Sequence, residues 1–271
     1  MVIRSLTLKK IRMPGTYVSG KMLFLFGCFI VTLLFSCQVE DNNKLRIAVA
    51  ANLQFAIEEL TQDFTEKTGV PCEIIISSSG KLTAQIIEGA PFDLLLSADM
   101  KYPQELYSRN LTLYEPDIYG YGNLILWTLH DDVSPELETL SSEKVTHIAL
   151  GNPKTAPYGA SAMEVIQKIG IEKTIQKKLV YGESIAQTNQ FIISEAVDLG
   201  FTSKSVVMST QMKDRGVWKE VDKGLYKPMA QGLVVLNSRE AFKAKAIQFR
   251  DYILSSEGKE ILHKFGYDMK H

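Results

Sequence analysis

Hydrophobic and polar positions alternate along this chain in a way that reads as strand, helix, strand, helix. Leu45-Arg46-Ile47-Ala48 is strand-like, runs on through Val49-Ala50-Ala51 and stops at Asn52. Leu53, Ile57, Leu60 and Phe64 then recur at steps of four, three and four, one face of a helix that Gly69 ends as a C-cap. Val70–Ile76 is a second apolar strand, Ser77-Ser78-Ser79-Gly80-Lys81 follows, and Leu82, Ile86 and Ile87 continue as a helix. Phe92–Ala98 is a third strand whose unbroken apolar run suits a sheet covered on both faces. Pro103–Tyr107 predicts a short helix, and Tyr119–Thr128 a single long strand.

The second half repeats the pattern. Val145–Leu150 reads as a strand, Gly151–Gly159 as a loop, and Ala160, Met163, Ile166 and Ile169 as a helix face ended by Gly170. A helix over Ile171–Lys178, a strand at Leu179–Tyr181, a helix from Ile185 to Ala196 and a strand at Leu199–Thr202 follow. Met229–Leu236 is a last strand, and Ala241–Leu254 and Glu257–Phe265 are closing helices. Strands alternating with helices predict an α/β fold built on mainly parallel sheets flanked by helices.

The first 37 residues break this pattern. Arg4, Lys9, Lys10, Arg12 and Lys21 are their only charges and precede the apolar run Met22–Phe35, which is too short for a membrane span and reads as the core of a signal peptide. Leu34-Phe35-Ser36-Cys37 resembles the lipobox of bacterial lipoproteins, so residues 1–36 are expected to be removed and Cys37 to carry lipid, with residues 37–43 as a polar spacer. Removal takes five of the 30 basic residues and none of the 31 acidic ones, which leaves a net charge of −6. That balance argues against nucleic-acid binding, which relies on clustered Lys and Arg. Of three cysteines, Cys28 leaves with the signal and Cys37 takes lipid, so Cys72 has no disulfide partner; the four His are scattered, without zinc-ligand spacing.

Candidate chemistry gathers at four strand-to-helix junctions, Asn52, Ser77–Ser79, Thr155–Gly159 and Ser184-Ile185, the end of a sheet where α/β proteins bind ligands. Asn52 is expected at a helix N-cap, its amide beside free backbone N–H groups at the positive end of the helix dipole, an arrangement that suits an anion held without a countercharge; taken alone, an Asn there simply caps its helix. Gly80 is expected to allow a ligand close to the backbone. Lys81 and Lys154 are the only cations near these junctions. No G-x-S-x-G, H-E-x-x-H or G-x-G-x-x-G is present, the GK of Gly80-Lys81 lacks phosphate-loop spacing, and Asp93 with Asp99 has no convergent third group. No catalytic residue is expected.

Ala50-Ala51-Asn52-Leu53, Ser77-Ser78-Ser79-Gly80-Lys81-Leu82, Gly89-Ala90-Pro91-Phe92-Asp93-Leu94-Leu95-Leu96-Ser97-Ala98, and Gly151-Asn152-Pro153 with Pro157-Tyr158-Gly159 together resemble the molybdate-binding proteins of ABC importers, from Lys44 to the end of the chain. The resemblance implies a two-lobed periplasmic-binding-protein type II fold closing over a tetrahedral oxyanion, with lobe 1 formed by residues 44–125 and 229–271 and lobe 2 by 126–228. It implies ligand contacts at Asn52, at Ser78 or Ser79, at Tyr158, and at Ile185 through its backbone N–H, with molybdenum held only as the oxyanion and no cofactor. A tyrosine that some members carry after the last strand of lobe 2 falls near Ser203. The implied function is an extracytoplasmic lipoprotein in the periplasm or cell envelope, a monomer that delivers molybdate or tungstate to an ABC permease. The alternatives are a receptor for sulfate or another tetrahedral oxyanion, and an enzyme on the same two-lobed frame.

Overall fold

The continuous apolar runs become central strands covered on both faces. The computed structural model describes residues 43–270; the expected signal segment and Cys37 lie outside the described residues. In chain order the elements are β1 (Leu45–Ala50), α1 (Gln54–Thr68), β2 (Cys72–Ser77), α2 (Ser79–Ile87), β3 (Leu94–Ser97), α3 (Lys101–Ser108), β4 (Asp117–Gly122) and β5 (Leu124–Thr128). Then come β6 (Ile148–Gly151), α4 (Pro157–Lys168), α5 (Glu172–Ile175), β7 (Leu179–Gly182), α6 (Ile185–Ile193), β8 (Leu199–Ser203), α7 (Lys204–Val207), β9 (Val217–Glu220), β10 (Met229–Val235), α8 (Lys243–Leu254) and α9 (Ser256–Lys264).

The strands form two five-stranded sheets, ordered β2-β1-β3-β10-β4 and β7-β6-β8-β5-β9. Three strands of each sheet are parallel, β1 with β2 and β3, and β6 with β7 and β8. β10 runs antiparallel to β3 and β4, and β5 to β8 and β9, because each of these two strands enters its sheet by crossing from the other sheet rather than through a helical crossover within one. The first sheet packs one apolar cluster around Ile47, Leu53, Leu60, Phe64 and Phe249 and another around Ala48, Leu82, Leu95 and Val234 on its opposite face. The second sheet packs around Trp127, Leu150, Ile166 and Phe201, and this cluster extends to Ala50, Ala51 and Ala98 at the carboxyl ends of β1 and β3.

The long strand expected over Tyr119–Thr128 is two strands in different sheets. Gly122 pairs with Met229 in the first sheet and Leu124 with Ser203 in the second, so the chain changes sheet at Asn123. Asn123 is pinned there: its Nδ2 donates to Gly266 O at 3.0 Å and to Asp268 at 3.1 Å, and its carbonyl accepts from Lys204 N at 2.9 Å. β9 and α7 have no counterpart in the predicted elements. β9 is a short edge strand, Val-Trp-Lys-Glu, largely exposed and too polar to stand out.

The start of α4 is set by one close approach. A Cβ on Gly159 would lie 1.9 Å from Gly151 O and 2.5 Å from Gly151 C, both backbone atoms that cannot swing aside. Gly159→Ala is therefore expected to push α4 off β6 and to lower stability by about 1–3 kcal/mol, read by denaturant unfolding; unchanged stability would show that the helix start has room to move.

Candidate ligand-binding site

Three helices begin at one point between the sheets. α2, α4 and α6 bring Ser78 and Ser79, Pro157 and Tyr158, and Ile185 to a pocket closed by Ala50, Ala51, Asn52, Ala98 and Ala156. Alanines and serines make up most of its wall, beside Asn52, Pro157, Tyr158 and Ile185, and the cavity is only about 10 Å³, room for one water at most. No charged side chain lines it. Among the described residues, no group of three or more His, Cys, Asp or Glu is placed to hold a metal.

What the pocket offers is donors. The first N–H groups of a helix have no intrahelical acceptor, and Ser79, Tyr158 and Ile185 occupy such first-turn positions at the positive end of their helix dipoles. Ser78 Oγ is buried without a hydrogen-bond partner. Ser79 Oγ accepts from Ala98 N at 3.0 Å, which leaves its own proton to donate. Ser77 ends β2 opposite Ala50 and is not part of the wall. Tyr158 is 1 % exposed, and burial, reinforced by Tyr267 nearby, raises its phenol far above the ordinary range, so it remains a protonated donor. Gly122 makes the room for that hydroxyl, since a Cβ there would lie 2.1 Å from Tyr158 Oη.

Asn52 is in the wall but not in the expected role. It sits inside the 3₁₀ turn Ala51–Leu53, whose N-cap is Ala50, and makes no side-chain cap. Its Nδ2 donates to Gln231 Oε1 at 2.9 Å and to Tyr267 Oη at 2.8 Å, while Gln231 Nε2 donates to Ala98 O and Met229 O at 2.9 Å each. Two carbonyls thus fix the Gln231 amide, Gln231 fixes the Asn52 amide, and Asn52 has no N–H left on its side chain for an anion. Its Oδ1 is buried without a partner.

The lobes meet around the pocket. Gly80 N donates to Thr155 O at 3.0 Å, Tyr102 Oη to Lys154 O at 3.1 Å, and Ser205 Oγ to Asn52 O at 2.5 Å. A Cβ on Gly80 would come within 3.0 Å of Thr155 Cα, so this glycine serves the approach of the opposite lobe's backbone rather than of a ligand. Lys81, one of the two nearby cations, is paired with Glu183 across the lobes and is not in the wall.

The family model described as bacterial extracellular solute-binding protein matches residues 45–268. The chain belongs to that family. Its members bind a solute rather than transform one, so this is a binding protein and not an enzyme. The molybdate-binding protein ModA of Rhodobacter capsulatus is 37% identical over 225 residues, covering 81% of this chain and 86% of that one. The solved periplasmic molybdate-binding protein of Azotobacter vinelandii superposes with a TM-score of 0.80 at 30% identity, covering 84% of this chain and all of the other. The sulfate-binding protein SubI of Mycobacterium tuberculosis shares the fold at a TM-score of 0.67 and 10% identity.

Three residues support the pocket without being named by sequence reasoning, Gln231, Tyr267 and Ser205. Gln231 left one signal, a polar residue inside the apolar strand Met229–Leu236; it is fully buried. Asn52→Ala is expected to leave Gln231 Oε1 buried without a donor and to lower the stability of the ligand-free protein by about 1–3 kcal/mol, measured by urea unfolding. Unchanged stability would mean that the Gln231 amide finds another donor.

Proposed function

We propose that this protein captures molybdate or tungstate between its two lobes and delivers the anion to an ABC permease. The carrying observation is a small, closed pocket at three helix N-termini, with neutral donors and no charged side chain. The proposed donors are Ser78, Ser79, Tyr158 and the backbone N–H of Ile185, with Asn52 contributing through its backbone turn instead of its side-chain amide. Such a site suits a compact, fully deprotonated dianion. Each backbone N–H can only donate, each charge-assisted bond contributes roughly 1.5–3 kcal/mol, and the helix dipoles supply positive potential without a countercharge. The named relatives favour molybdate over the sulfate alternative, since they match at far higher identity than the sulfate-binding neighbour. No cofactor takes part.

The two lobes of this reading are residues 44–125 with 229–271, and residues 126–228, with Leu124 and Ile125 already paired in the second sheet. Size separates the anions: molybdate and tungstate have longer bonds to oxygen than sulfate, and donors set for them leave sulfate's contacts stretched. Isothermal titration of the purified protein with molybdate, tungstate and sulfate is expected to give tight binding of the first two and weak or no binding of sulfate. Tight sulfate binding without molybdate binding would sink the reading.

Cys37 completes it as the lipidated first residue of a monomeric, processed protein held at the membrane by its acyl chains. Cys37→Ala is expected to move the protein from the membrane to the soluble fraction after detergent-free lysis; a variant that stays in the membrane as fully as the parent places the anchor elsewhere.

A further inference from the structure

The carbonyl oxygen of Asn52 accepts two hydroxyls, Ser205 Oγ at 2.5 Å and Tyr267 Oη at 3.1 Å. They come from opposite lobes. Tyr267 packs within the first lobe beside Tyr119, whereas Ser205 lies in α7, directly after β8 of the second sheet. The Tyr267 bond joins groups of one lobe, and the Ser205 bond joins the two. Ser205 Oγ also lies 2.6 Å from Ser203 Oγ, and Ser203 donates to Tyr158 Oη at 3.2 Å. With Ser203's proton on Tyr158 and Ser205's on Asn52, no proton bridges the two serine oxygens, and the Asn52 carbonyl is what Ser205 holds. Ser205 itself is buried, 3 % exposed, and is not part of the pocket wall.

We infer that Ser205 is a positioning residue for oxyanion capture, a latch made on closure that holds the Asn52 turn from the opposite lobe. It acts on the anion only through that turn. The inference rests on the reading of the pocket as an oxyanion site. A purely structural role predicts something different. Ser203 accepts from Ser205 N as the cap of α7, and that N–H survives in Ser205→Ala, so the variant keeps its helix start.

The test measures affinity and release rate for molybdate, tungstate and sulfate by stopped-flow fluorescence, together with the thermal midpoint without anion, in the parent, Ser205→Ala and Tyr267→Phe. Ser205→Ala is expected to weaken the bound anion about three- to tenfold, the loss of one hydrogen bond, chiefly through faster release, with an unchanged anion-free midpoint. Tyr267→Phe removes both hydrogen bonds between Tyr267 Oη and Asn52, within one lobe, and is expected to lower that midpoint. An unaltered affinity in Ser205→Ala, or an anion-free midpoint that falls with it, overturns the latch. If the parent binds sulfate and neither molybdate nor tungstate, the function reading fails and the latch is read on sulfate; a parent that binds none overturns both.

Discussion

A dianion cannot be buried in protein unless something replaces the water around it, and the pocket has no cation in its wall with which to do so. In the proposed reading, the starts of α2, α4 and α6 supply the replacement. Each helix start exposes backbone N–H groups whose positions are fixed by the fold, so no compensating charge need be desolvated. Much of the architecture follows from this constraint. The helices must begin at the carboxyl ends of the strands that precede them, two sheets must bring those ends face to face, and the wall between must be made of residues as small as Ala50, Ala51, Ala98 and Ala156.

Neutral donors leave the closed state dependent on contacts between the lobes, and these are made largely by backbone. Gly80 meets Thr155 through its N–H, Lys154 uses its carbonyl, and Asn52 uses its carbonyl too. Side chains at these points would hold the lobes apart, as the crowding around Gly80 and Gly122 shows. The ion pair between Lys81 and Glu183 sits at the rim, where both groups are exposed and such a pair contributes little. The contacts between the lobes thus rest on shape and hydrogen bonding around the pocket rather than on charge at the surface.

The α/β framework was legible in the sequence because buried strands and helix faces write it directly into apolar spacing, as in Leu45–Ala50 and in Leu53, Ile57, Leu60 and Phe64. The junctions were legible as well, since small polar residues at strand ends stand out against apolar runs. The change of sheet at Asn123 was hidden because Tyr119–Gly122 and Leu124–Thr128 lie in sheets covered on both sides, and two buried strands in series look like one. The role of Asn52 was hidden for a different reason. Its amide is directed by Gln231 and Tyr267, which lie 179 and 215 residues away along the chain. Local spacing places a residue at the end of a strand; it does not reveal which way an amide turns once distant partners arrive.

The central claim, that neutral donors gathered at helix N-termini hold the anion without a cation, is tested most directly by a crystal structure of the protein grown with molybdate, with data collected at the molybdenum absorption edge. The account predicts one anomalous peak between the first turns of α2, α4 and α6, its oxygens within hydrogen-bond distance of Ser79 N, Tyr158 N and Ile185 N, with no Lys or Arg nitrogen in contact. A peak outside this pocket, or one whose oxygens are met by the ammonium of Lys81 or Lys154, would contradict it.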